Sequence, residues 1–117
     1  MRIGVHGRSM TSSLAPQVAD LLKRMDAHGL VPLLDEDITA WLKSNGQEVA
    51  AGALTRTAGR LKDIDMVMSL GGDGTFLDSV AMVGRAGIPV LGINLGRLGF
   101  LSNIALESTD MAMESIA

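Results

Sequence analysis

The run Gly71-Gly72-Asp73-Gly74-Thr75 sets one carboxylate and one hydroxyl among three glycines. Glycine permits positive φ and lets a ligand approach the backbone with no Cβ in the way. A short apolar run, Met66 to Leu70, comes directly before it and a helical pattern directly after. The turn therefore lies where a strand ends and a helix opens. A helix N-terminus exposes unpaired N–H groups and a partial positive charge, which suits phosphate. A carboxylate aimed at phosphates is repulsive unless it has a task. It can hold Mg²⁺, or it can take the proton of an attacking hydroxyl. The run is neither a Gly-x-Gly-x-x-Gly fingerprint nor a P-loop, since no Lys-Ser or Lys-Thr pair follows. A plainer reading stands beside the chemical one: Asp73 as a helix N-cap and Gly71-Gly72 as a tight turn and nothing more.

Other residues carry weaker signals. Asn94-Leu95-Gly96-Arg97-Leu98-Gly99-Phe100 follows a later apolar run. Arg8 to Ser13 is a hydroxyl-rich stretch that could cradle a phosphate, although a solvated turn with Ser12 or Ser13 as N-cap is the simpler reading. Asp35, Glu36 and Asp37 could gather a metal. Successive residues rarely converge on one ion, so a charged turn with a helix cap is preferred. His6 and His28 are isolated in sequence. His6 ends a strand at the edge where ligands bind, and His28 suits a helix C-terminus. Trp41 reads as a packing anchor.

These residues need elements to position them. Ile3 to His6 reads as a strand. Leu14, Val18, Leu21, Leu22 and Met25 recur at helical spacing, stopped by Gly29. Leu30 to Leu34 is a second strand, and Ile38 to about Lys43 a short helix ending near Asn45-Gly46. Gln47 to Arg60 has no clear pattern, and Gly52 and Gly59 weaken any helix there. Met66 to Leu70 does not alternate, as expected of a strand buried on both faces. Phe76, Leu77, Val80, Ala81 and Val83 trace a helix face closed by Gly84 or Gly87, and Pro89 to Ile93 is a fourth strand. Thr109 to Ala117 looks helical. Strand and helix in alternation predict an open, three-layer α/β fold with a parallel sheet and right-handed crossovers.

The 117 residues suit one domain. With only 3% aromatic residues the core must be aliphatic, with Met as filler. A net charge of −3 and no basic block give nucleic-acid binding no electrostatic support. Phosphate must then be held locally, by backbone N–H groups or a metal ion. The absence of cysteine removes disulfides, thiolate zinc sites and Cys nucleophiles, and fits a cytoplasmic setting. The N-terminus has no signal-peptide pattern, and no apolar stretch approaches the roughly 20 residues of a membrane span.

Gly-Gly-Asp-Gly-Thr after a buried strand resembles the signature shared by NAD kinases, diacylglycerol and sphingosine lipid kinases and, more loosely, phosphofructokinases. The second run, Gly92-Ile93-Asn94-Leu95-Gly96-Arg97-Leu98-Gly99-Phe100-Leu101, is similar to the segment after the next strand in NAD kinases. The resemblance covers about residues 2–104 and is clearest from about 64 onward. It implies a Rossmann-like nucleotide-binding domain of a kinase that phosphorylates the 2′-hydroxyl of the NAD adenosine ribose with ATP, giving NADP. By motif, Asp73 would be the general base. Gly71, Gly72, Gly74 and Thr75 would hold phosphates. Phe76 and Leu77 would form the packing face of the helix. Asn94, Gly96 and Gly99 would shape the NAD pocket, with Phe100 near the adenine. A large apolar residue after a strand is also a natural core residue, so the pocket role of Phe100 is preferred only slightly; Arg97 could contact phosphate, but a solvated surface residue is the simpler reading.

The resemblance further implies NAD and ATP as partners, Mg²⁺ accompanying ATP or another phosphate donor, and a homo-oligomer for a full-length protein. No nucleic acid and no membrane are expected. The family's second, all-β domain is missing, so the chain alone should have little or no activity. Three rivals remain. A lipid kinase domain shares the glycine turn but not the match at 92–101. A receiver-like module with Asp73 as phosphoacceptor would want a Lys at the end of a later strand, whereas the last Lys is Lys62. A flavodoxin-like flavin-binding module would use the loop at 8–13 and would be yellow.

Overall fold

The computed structural model describes residues 1–7, 14–48, 51–54, 56–57, 60–61, 63–84, 87–94 and 104–105. In chain order the elements are β1 (Arg2–His6), α1 (Ala15–Ala27), β2 (Val31–Leu34), α2 (Glu36–Ser44), β3 (Gly52–Ala53), β4 (Arg56–Thr57), β5 (Arg60–Leu61), β6 (Met66–Gly71), α3 (Asp73–Val83), β7 (Val90–Asn94) and β8 (Ile104–Ala105). Six strands form one parallel sheet in the order β3-β2-β1-β6-β7-β8. β4 and β5 form a separate antiparallel pair.

The four strands read from apolar runs are all present. The short strands β3, β4, β5 and β8 were not foreseen. Each has only two residues, too few to show a period. Pro32 sits inside β2 without breaking the ladder. The Val31 N–H donates to Met1 O and the Asp35 N–H to Val5 O, so alternate positions face β1. The N–H that Pro32 lacks would face the other side, where β3 begins pairing only at Leu33.

The sheet separates two apolar layers. On one face Ile3, Val5, Leu34, Met68, Leu70 and Ile93 pack against Val18, Leu21, Leu22 and Met25 of α1 and Ile38, Trp41 and Leu42 of α2. Trp41 is thus the packing anchor expected of it. On the other face Leu33, Ile64 and Val67 meet Val83 of α3, with Leu54, Met82, Ile88 and Val90 at the margin. β6 is buried from Val67 to Leu70, which explains its unbroken apolar run. The entry to β6 is fastened to β1: the Arg2 N–H donates to Asp65 Oδ2 at 2.7 Å and Arg2 Nε to Asp63 O at 2.8 Å.

Helix ends follow the glycines. Gly29 (φ +75°) follows α1, Gly46 (φ +72°) follows α2 and Gly84 (φ +57°) caps α3. His28 takes the C-cap position of α1. Starts differ from expectation. The N-cap of α1 is Leu14, not Ser12 or Ser13, which lie outside the described residues. Pro16 in the first turn supplies helical φ and needs no N–H partner there. The helix expected at Thr109–Ala117 and the loop Arg8 to Ser13 also lie outside the described residues.

The face expected for α3 is corrected. Leu77 is 55% exposed and Val80 45%, while Ser79 and Val83 are buried. The residues read as one face belong to two stripes. Phe76, Ser79 and Val83 (i, i+3, i+7) turn toward the sheet, and Leu77, Val80 and Ala81 turn away. Ser79 hides its polarity by donating from Oγ to Thr75 O at 3.1 Å. A serine can therefore occupy a core position that an apolar pattern does not mark.

Candidate functional site

Chain order reverses between β1 and β6. From β1 the chain proceeds to β2 and β3 on one side, and from β6 to β7 and β8 on the other. In open α/β sheets the ligand crevice opens at the carboxyl ends of the strands at such a switch point. β1 ends there in His6-Gly7, and β6 ends in Gly71-Gly72.

The glycine turn is built as its sequence requires. Gly71 has φ +146°, and a Cβ on it would lie 2.8 Å from Thr75 Oγ1 and 3.1 Å from Thr75 Cβ. No other residue fits without displacing Thr75. Gly72 and Gly74 are exposed, and a Cβ on either would meet nothing within 4 Å. Their lack of side chains therefore serves no internal contact and leaves the outer surface of the turn open to a ligand. Gly72 is the N-cap of α3 in an extended conformation, without a side-chain cap. This replaces the reading of Asp73 as N-cap: Asp73 is the first helical residue. The Phe76 N–H closes the first helical bond to Gly72 O at 3.0 Å. The N–H groups ahead of it in α3 have no intrahelical acceptor and are available to an anion.

The two sequence motifs meet. Gly71 and Asn94 are register partners on β6 and β7, so the start of the second motif lies beside the start of the first. Asn94 also pairs with Ala105 of β8. Gly96, Arg97, Gly99 and Phe100 lie outside the described residues.

Sequence reasoning missed one polar pair. His6 is not isolated: its Nδ1 is bonded to Asp35 Oδ2. Asp35 holds the N-cap position of α2, but its carboxylate makes no capping bond and is turned to His6 instead. The signal was available, since both residues directly end or follow strands that pair in register from Arg2↔Val31 to Val5↔Leu34. The metal reading of Asp35 to Asp37 gains nothing: among the described residues no three His, Asp or Glu side chains gather to hold an ion. A cleft of about 440 Å³ lies between α2 and the β2–β3 edge, lined by Leu34, Glu36, Thr39, Ala40, Lys43, Ala53 and Leu54. It shares no lining residue with the glycine turn.

Fold and site define a doubly wound α/β domain with open backbone donors at its switch point, where the glycine turn carries Asp73 in sequence. The description "ATP-NAD kinase N-terminal domain" belongs to a family whose profile matches residues 8–117. The chain belongs to that family. It is 36% identical over 117 residues to an NAD kinase of Bacteroides fragilis, covering 99% of this chain and 40% of that protein. An NAD kinase of Flavobacterium psychrophilum is 33% identical over 120 residues with the same coverage. An NAD kinase of Heliobacterium modesticaldum is 46% identical over 57 residues, 49% of this chain and 20% of that protein. Yeast NADH kinase, solved in complex with NADH, shares the fold with a TM-score of 0.75 at 19% identity, covering 99% of this chain and 37% of that one. The chain thus spans about 40% of the length of the full-coverage relatives it matches. Among the described residues no helix is long and apolar enough to cross a membrane.

Proposed function

We propose that this chain is the phosphate-handling half of an NAD kinase, which transfers the terminal phosphate of ATP to the 2′-hydroxyl of the NAD adenosine ribose to give NADP. Asp73 is the general base that accepts the hydroxyl proton as its oxygen attacks phosphorus. Gly71, Gly72, Gly74 and Thr75 hold phosphates through backbone N–H groups and the Thr hydroxyl. Asn94, Gly96 and Gly99 shape the NAD pocket, with Phe100 beside the adenine. Mg²⁺ arrives with ATP and offsets the repulsion between Asp73 and the phosphates. The setting is the cytoplasm, and the full-length protein is a homo-oligomer.

The observation that carries this reading is the register pair Gly71 and Asn94. It sets the glycine turn beside Asn94 at the carboxyl end of the sheet, which supports transfer between two substrates bound there. Positioning supplies most of phosphoryl-transfer catalysis. A chain spanning 40% of its relatives therefore turns over NAD slowly or not at all by itself. The test is calorimetric titration of the chain with NAD and with ATP–Mg²⁺, beside Asp73→Asn. Binding of either ligand that changes in the variant is the expected result. A folded chain that binds neither ligand would overturn the assignment of the site to this half.

A further inference from the structure

His6 and Ser69 are register partners on β1 and β6, the two strands that bound the switch point. Strand alternation puts them on the same face of the sheet. Gly4, two residues before His6, faces Leu54 and Ile64, and Val67, two before Ser69, packs with Ile64. Ser69 is 1% exposed and the His6 side chain 14%. His6 Nδ1 is committed to Asp35. His6 Nε2 and Ser69 Oγ are both buried, and neither has a hydrogen-bond partner among the described residues.

Two such atoms on neighbouring strands are not independent accidents. Native proteins pair nearly all buried polar side-chain atoms with protein or ordered water. Adjacent strands run about 4.8 Å apart, and two hydrogen bonds of about 2.8 Å through one oxygen span that interval. The next position in the row, Gly92 beside Ser69 on β7, adds no side chain to compete for that space. A buried water needs a polar, roomy site with at least two partners; His6 Nε2 and Ser69 Oγ supply the polarity and the two partners.

We propose that one ordered water bridges His6 Nε2 and Ser69 Oγ, completing a line Asp35–His6–water–Ser69 across the carboxyl ends of β2, β1 and β6. His6 and Ser69 are then positioning residues. They fix the end of β6, from which the glycine turn departs two residues beyond Ser69. The arrangement superficially has the order of a Ser-His-Asp triad. Ser69 is too deeply buried to attack a substrate, so its role is to hold and not to react. The proposal does not depend on the nucleotide reading, because it concerns the ligand-free chain.

The test is nuclear magnetic resonance of the isotopically labelled full chain, wild type beside Ser69→Ala and Ser69→Thr. The wild type should show a long-lived water cross-relaxing with the His6 ring protons and a hydrogen-bonded Nε2 shift. Ser69→Ala should lose the water signal, keep the Nδ1 signature of the Asp35 bond, and exchange the Gly71 and Gly72 amide protons several-fold faster, with α1 amides unchanged. Ser69→Thr, which keeps the hydroxyl, should restore all three. A free-imine Nε2 shift with no long-lived water in the wild type would overturn the proposal. So would a rise in the denaturation midpoint of Ser69→Ala, which marks a stranded hydroxyl. Equal acceleration of α1 and turn amides in that variant would overturn the positioning role.

Discussion

Gly71 and Asn94 stand directly opposite each other on two adjacent parallel strands. Gly71 begins the first motif and Asn94 lies near the start of the second, 23 residues on in sequence, and α3 connects the two strand ends.

The three glycines of the turn should respond differently. Gly71→Ala places a methyl against Thr75 from a positive φ, at a cost of about 1–3 kcal/mol. Gly72→Ala and Gly74→Ala meet open space. They should leave urea midpoints unchanged or, for Gly74 inside α3, raise stability by up to about 1 kcal/mol. Both should still weaken nucleotide binding in calorimetry, because the added methyl stands on the open surface of the turn proposed to hold phosphate.

Asp73→Asn should leave the fold intact, since Gly72 and not Asp73 is the N-cap. In a full-length protein, loss of the proposed base should lower kcat by about 10²–10⁴-fold. Steady-state rates at saturating ATP–Mg²⁺ and NAD would check this.

His6 and Asp35 should be energetically coupled. Removing either alone leaves the other partly buried without its partner, at about 1–3 kcal/mol each. The double variant His6→Ala/Asp35→Ala should cost less than the sum, as a double-mutant cycle in urea would show.

The two stripes of α3 should separate cleanly. Leu77→Gln and Val80→Gln change exposed side chains and should alter stability by no more than about 0.5 kcal/mol. Val83→Ala opens the second apolar layer and should cost about 1–3 kcal/mol. Ser79→Leu should also destabilise, by overpacking against the sheet by about 1–3 kcal/mol. Thermal unfolding of the four variants decides it.

Much of this architecture is legible from residues alone. Met66 to Leu70 announces a doubly buried strand because it does not alternate, and Gly29, Gly46 and Gly84 mark helix ends because each takes a positive φ. What stays hidden has physical causes. Ser79 looks polar and is buried, because its hydroxyl is spent on Thr75 O within its own helix. Leu77 looks like core and is exposed, because the buried stripe of a helix follows its docking angle, not its composition. His6 and Asp35 look unrelated across 29 residues, since their meeting depends on strand register. Two-residue strands such as β3 and β8 borrow their shape from a neighbour and carry no pattern of their own.

The pairing of β1 with β6 has a kinetic side. Arg2 and Asp65, joined where the two strands begin, are 63 residues apart, and α1, β2, α2 and β3 all lie in the intervening loop. Closing a loop of that length is entropically costly before its contacts offset the cost, and such non-local pairing slows folding. The switch point therefore needs residues from both halves of the chain and cannot exist before β1 and β6 lie side by side. A nascent chain that has emerged only through β3 can organise the layer of α1 and α2, but it has no switch point until β6 arrives to lie beside β1.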